Sequence, residues 1–160
     1  MKKIIFGLII FMSASLIAQT ADTYLELLRS DLKTQKKVVI AEAMNLNELQ
    51  AEKFWPIYRE FEFESAKLGD VKVEIIKEYA AKYDNLTEEV ADDLLNKSFE
   101  LDEDKLDLQK EYYNKVKAQL GAKQAGKFMQ IVNRLNMLID IQVAAELPLI
   151  LIDSDSTGSM

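Results

Sequence analysis

Histidine and cysteine are both absent from the 160 residues. The side chains that most often serve as general base, nucleophile or soft metal ligand are therefore missing. Carboxylates, amines, hydroxyls and aromatic rings remain. The densest carboxylate run is Glu100, Asp102, Glu103, Asp104 and Asp107, which could attract cations or a basic partner. On a helix these residues spread around the axis instead of wrapping one ion, so a solvated helix face is the plainer reading. The tail DSDSTG sets Asp153, Asp155, Thr157 and Gly158 at the offsets of a calcium loop. The sequence stops at Met160, before the bidentate glutamate such a loop requires, and no EF-hand is expected. Serines are scattered and no Gly-rich phosphate loop occurs, so we expect no catalytic residues, no metal and no cofactor.

Apolar recognition is the better-furnished chemistry. Phe54, Trp55, Tyr58, Phe61 and Phe63 crowd ten residues. At helical spacing Phe54, Ile57 and Phe61 share a face, whereas Trp55 and Tyr58 fall off it. Trp55, Tyr58 and Phe63, with Met129 and Met137 further on, could grip the apolar segments of a polypeptide. The alternative is that they pack on a neighbouring helix or on a second copy of the chain.

Elements that could position these residues follow from the pattern. The opening MKKIIFGLIIFMSASLIAQT has the charge, apolar core and small-residue order of a secretory signal peptide. Its apolar run is too short for a comfortable membrane span. Residues 1–20 are expected to be removed after Ala18 or Thr20, giving a periplasmic protein, with a helical domain over 21–147 and a tail over 148–160. Loss of Lys2 and Lys3 with the leader leaves 18 basic against 27 acidic side chains, a net charge of −9. Such a surface disfavours nucleic acid.

Five glycines, two prolines and no sustained alternation leave helix as the remaining reading. Helices are expected from about Asp22 to Met44, Asn47 to Asp84, Thr87 to Gln119 and Gly121 to Glu146. Their core stripes are Leu25, Leu28, Leu32, Val39 and Ala43; Phe54, Ile57, Phe61, Leu68, Val71, Ile75 and Tyr79; Val90, Leu94, Leu101, Leu108, Tyr112 and Val116; and Phe128, Ile131, Leu135, Leu138 and Ala145. Two helices exceed 30 residues, about 45 Å at the usual rise. Pro56 predicts a kink in the second, and Gly69 a softer interruption. Pro148 should stop the fourth and leave the apolar run Leu149 to Ile152 to be tucked against the body, paired with a partner or left sticky, one arrangement being a flexible tail that occupies the molecule's own cradle.

The segments LNELQAEKFW (46–55) and LGAKQAGKFM (120–129) share Leu, Gln, Ala, Lys and Phe at equal offsets. In the first, Asn47 is a candidate N-cap and Gln50 can reach back to it, the arrangement of a capping box. Leu46 and Ala51 stand where a hydrophobic staple would close. In the second, the equivalent positions are Leu120, Gly121, Gln124 and Ala125, with Gly a weaker cap. LTEEVA, at 86–91, marks a third helix start with Thr87.

LNELQ and LGAKQ resemble degenerate copies of the paired L-T-x-x-Q motif of Spy/CpxP-like periplasmic proteins, with Asn47 and Gly121 where that family usually has Thr. The run IAEAMNLNELQAEKFWPIYREFE is similar to Bacteroidetes-type members, some described as sensors linked to extracytoplasmic-function sigma factors. The resemblance spans about residues 33–146. It implies an all-α, elongated, bent four-helix hairpin that pairs with a second copy into a cradle. Family functions are ATP-independent chaperoning of unfolded clients in the envelope stress response, or binding of a periplasmic sensor or anti-sigma domain. Lack of His departs from the zinc-binding branch, and the negative charge departs from the positively charged cradle.

Overall fold

The computed structural model describes residues 34–150. The signal peptide at 1–20, Leu25, Leu28 and Leu32 of the first expected helix, and the tail from residue 151 lie outside the described residues. Helix α1 (34–44), α2 (Glu48–Lys82), a 3-10 turn (Tyr83–Asn85), α3 (Glu88–Leu120) and α4 (Ala122–Glu146) follow in order, with no strand among the described residues. The chain is all-helical, as its composition and periodicity require. It divides into two compact units, residues 1–43 and 44–160. In the first, Ile40 is buried and Val38 and Val39 are exposed.

Within the second unit, α2 and α3 begin at side-chain caps, and α4 follows a single glycine. α2 spans 35 residues and α3 spans 33, about 50 Å each at 1.5 Å per residue. The α2 helix runs through Pro56 without a break. Pro56 is exposed and supplies no amide to the helical ladder. Ahead of α2, Asn45 takes a positive φ of 47°, a conformation that Asn tolerates better than most residues and that ends α1.

Direction is given by contacts that link distant positions. Lys115 reaches Glu60 at 3.4 Å and Lys97 reaches Glu78 at 2.9 Å, so α3 runs antiparallel to α2. Phe128 meets Phe54 and Phe61, Lys72 pairs with Asp140, and Tyr79 bonds Pro148, so α4 runs parallel to α2. The core sits at the end where α2 and α4 begin: Met44, Phe54, Tyr58, Phe61, Tyr112, Val116, Ala125, Phe128 and Val132 are all buried. Beyond Phe61 in α2, and beyond Val132 in α4 among the described side chains, nothing is buried; α3 contributes Leu94 and Leu101 there.

Three stripes differ in phase from the expected ones. Val39, Val71 and Leu138 are exposed, whereas Ile40, Met44 and Val132 are buried. The errors in the first and fourth helices fall in or beside runs of adjacent apolar residues (Val38-Val39-Ile40, Ile131-Val132, Met137-Leu138-Ile139), where neighbours lie 100° apart and periodicity alone does not choose between them. Val71, flanked by Asp70 and Lys72, lies beyond the buried stretch of α2.

Candidate functional site

The two echoed segments do different work. Before α2, the Asn47 N–H donates to Gln50 Oε1 at 3.1 Å and the Gln50 N–H donates to Asn47 Oδ1 at 3.0 Å, closing the expected capping box. Leu46 beside it is half-buried. Thr87 caps α3 through its hydroxyl oxygen, which accepts from the Val90 N–H at 3.3 Å.

Before α4 the box does not form. Gly121 is the single residue between α3 and α4, and its N–H already donates to the Lys117 carbonyl at 2.9 Å to close α3. Its φ of 84° and ψ of 164° belong to a region essentially reserved for glycine. Its carbonyl accepts from the Ala125 N–H at 3.1 Å. With the Gly121 amide taken, Gln124 has no N–H to reach back to, and its Oε1 is buried without a hydrogen-bond partner. Leu120 is half-buried and Ala125 fully buried. The second echo is thus a helix-to-helix joint, where a Thr or Asn would be strained.

The five residues proposed to grip polypeptide are not brought together. Tyr58 belongs to the core, only 2% exposed. Its ring lies 5.9 Å from Phe54 and 6.2 Å from Phe128, and its hydroxyl donates to Glu62 at 2.9 Å. Burial, then the bond to Glu62 and that carboxylate's charge, hold the phenol's pKa well above its ordinary value. The expectation that Tyr58 lies off the seam is corrected by α4: the seam is wide enough for Phe128 to meet Phe54, Tyr58 and Phe61 together. Trp55 is half-buried, 5.3 Å from Phe54 and 5.5 Å from Tyr58. Met129 is half-buried. Only Phe63 and Met137 present large apolar area to solvent, 63% and 61% exposed, with Lys67 4.5 Å over the Phe63 ring and Leu138 and Ile141 exposed on α4 with Met137.

A different surface was missed. Where the second unit's core thins, α2, α3 and α4 leave a groove of about 650 Å³. Its walls are Ile75, Ile76 and Tyr79 of α2, Ala91, Leu94, Leu95 and Leu101 of α3, and Val143 of α4, with Leu86, Leu147 and Ile150. Charged groups stand around it: Lys72 pairs with Asp140, and Lys105 with Asp102 at 3.1 Å. Near the same end, Glu78 accepts from Lys82 at 2.7 Å and from Lys97 at 2.9 Å. Those two bonds lower its carboxyl pKa to about 2. Apolar doublets at Ile75-Ile76 and Leu94-Leu95 were the available sequence signal, because paired apolar neighbours widen a stripe until one member serves the core and the other lines a surface.

The acidic residues of α3 stay at the surface, and Asp102 and Asp107 take Lys105 and Lys110 as partners. Among the described residues no group of three or more His, Cys, Asp or Glu side chains is placed to hold a metal ion, and no helix is long and apolar enough to cross a membrane. Comparison of the chain with protein-family models, curated proteins and solved structures finds no match. The site is therefore read from its own chemistry, which is that of an apolar trough with a mixed-charge rim and exposed apolar side chains on the surrounding helices.

Proposed function

We propose that this is an exported, periplasmic polypeptide-binding protein that acts as an ATP-independent chaperone in the envelope stress response. It holds apolar segments of non-native chains on its helical surface and works as a pair of copies. The observation that carries this reading is the open groove between α2, α3 and α4, lined by apolar residues where a bundle would ordinarily be filled. Its volume lies within the range of ligand sites, and apolar walls with a charged rim suit apolar side chains carried on a polar backbone. Phe63, Met137, Leu138 and Ile141 add exposed apolar area beyond the groove. The Spy/CpxP-like motif, degenerate at Asn47 and Gly121, agrees with the same reading.

The acidic surface sets the expected salt response. With a mature charge of −9, capture of acidic clients is opposed by repulsion that salt screens, since the Debye length falls to about 8 Å at physiological ionic strength. The test is light scattering from a chemically unfolded, aggregation-prone acidic client diluted into buffer with the mature protein and without ATP. Suppression at near-stoichiometric amounts, stronger at moderate than at low salt, is the expected result. No suppression at several-fold excess overturns the chaperone reading in favour of an adaptor for a periplasmic sensor or anti-sigma domain.

A further inference from the structure

We propose that the groove is a peptide site whose resident occupant is the chain's own apolar run, residues 147–152, so that the protein carries a built-in competitor for whatever else binds there. The inference rests on the polypeptide-binding reading and adds to it where the segment lies and what regulates access.

The described part of the run is already seated. α4 stops at Glu146, and Leu147 turns to extended backbone with φ −95° and ψ 124°, the conformation that a following proline favours. Two hydroxyls four residues apart, one on the last turns of α2 and one on the 3-10 turn that follows it, then take two consecutive carbonyls. Tyr79 donates to the Pro148 oxygen at 2.8 Å, and Tyr83 donates to the Leu149 oxygen at 3.0 Å. Edge contact between the two rings, centroids 5.6 Å apart, orders the pair. Desolvation, together with Tyr83, raises the Tyr79 phenol above its ordinary pKa and keeps it a donor. Such a grip reads backbone, so it tolerates many sequences, as peptide grooves that bond the main chain do.

Side chains supply the second half of the argument. Leu147 and Ile150 line the groove while Leu149 faces water. Ile150 is still 53% exposed although it lines the groove, so the described part of the run leaves the groove open. The residues that come next are Leu151 and Ile152, apolar like the walls, and Asp153 follows. An exposed run of this kind is an aggregation hazard unless covered. Tethering makes the local concentration of the run on the order of millimolar, so a weak contact suffices to compete with a free client.

The probe is a fluorescein-labelled peptide of residues 146–157, titrated by fluorescence anisotropy into the full chain and into the full chain carrying Ile150→Ser, Leu151→Ser and Ile152→Ser. The three positions are exposed or lie past the described residues, and unchanged helicity by circular dichroism checks the fold. Stripping the tethered run of its apolar side chains leaves only its backbone bonds and Leu147 to hold it, and is expected to tighten peptide binding about tenfold or more, because apparent affinity scales with the fraction of open sites. Adding Tyr79→Phe and Tyr83→Phe to that variant keeps both rings, removes both donors, and is expected to weaken the peptide again several-fold. Equal peptide affinity in the full chain and the triple variant overturns the proposal, as does binding indifferent to the tyrosine changes or no binding by the triple variant. If the triple variant gains peptide affinity while neither protein suppresses client aggregation, the occupied groove stands and the chaperone reading falls.

Discussion

Phe128 is the residue on which the packed end of the second unit depends. It is fully buried and stands 5.2 Å from Phe54, 6.2 Å from Tyr58 and 5.3 Å from Phe61. Each such ring pair contributes about 0.5–1.5 kcal/mol beyond the area it buries. Phe128→Ala is expected to cost about 3–5 kcal/mol, read as a fall in the urea midpoint, whereas exposed Phe63→Ala is expected to stay within about 0.5 kcal/mol. A second residue-scale prediction concerns Gly121. A Cβ there meets no heavy atom within 4 Å, so Gly121→Ala tests backbone strain alone. The expected loss is about 1–3 kcal/mol; a neutral result would show that the joint relaxes to a negative φ. The sequence made the aromatic residues conspicuous but not their allotment. Tyr58 reads as off the seam from α2 by itself, and only the ring of Phe128, 70 positions downstream, draws it in.

At the scale of elements, the boundaries were legible because each helix start has its own chemistry. Asn47 and Gln50 cap α2, Thr87 caps α3, and Gly121 separates α3 from α4. Helix phase was less legible, since Val39 and Ile40, or Ile131 and Val132, offer two apolar faces 100° apart and the partner helix decides between them. The groove escaped for the same reason. Both members of the doublets Ile75-Ile76 and Leu94-Leu95 line it, whereas a one-stripe reading keeps one of each pair for the core and gives the other no role. At this end α2 and α3 are tied through Glu78, bonded to Lys82 and Lys97. The carboxyl's pKa is lowered from 4.5 to about 2 in the folded chain. A depressed acid stabilises the folded state fully above its unfolded pKa and loses that contribution as pH falls through the folded value. Amide exchange at the end of α2 and the start of α3 is therefore expected to quicken relative to the Phe128 end as pH drops from 4.5 to 2, after correction for intrinsic rates. In Glu78→Gln that differential pH dependence should flatten, and an unchanged profile would contradict the role given to the tie. The effect is modest, because the side chains are substantially exposed and solvent screens them.

For the whole molecule the contrast between the two ends of the second unit is what matters. One end is closed by interlocked rings; the other has apolar walls without a filled core. Leu94 and Leu101 are both buried and groove-lining, but other wall residues are exposed or half-buried, so a substitution at one of those need not unfold the chain. Leu95 suits this distinction. It lines the groove, is 54% exposed, and lies one position from buried Leu94. The most direct test of the polypeptide-binding claim is light scattering from an aggregating client in the presence of the full chain or its Leu95→Asp variant, both verified as equally helical. The account predicts near-stoichiometric suppression by the full chain and a several-fold larger amount of Leu95→Asp for the same effect. Equal suppression by the two proteins would contradict the groove as the binding surface, and suppression by neither would contradict the proposed function.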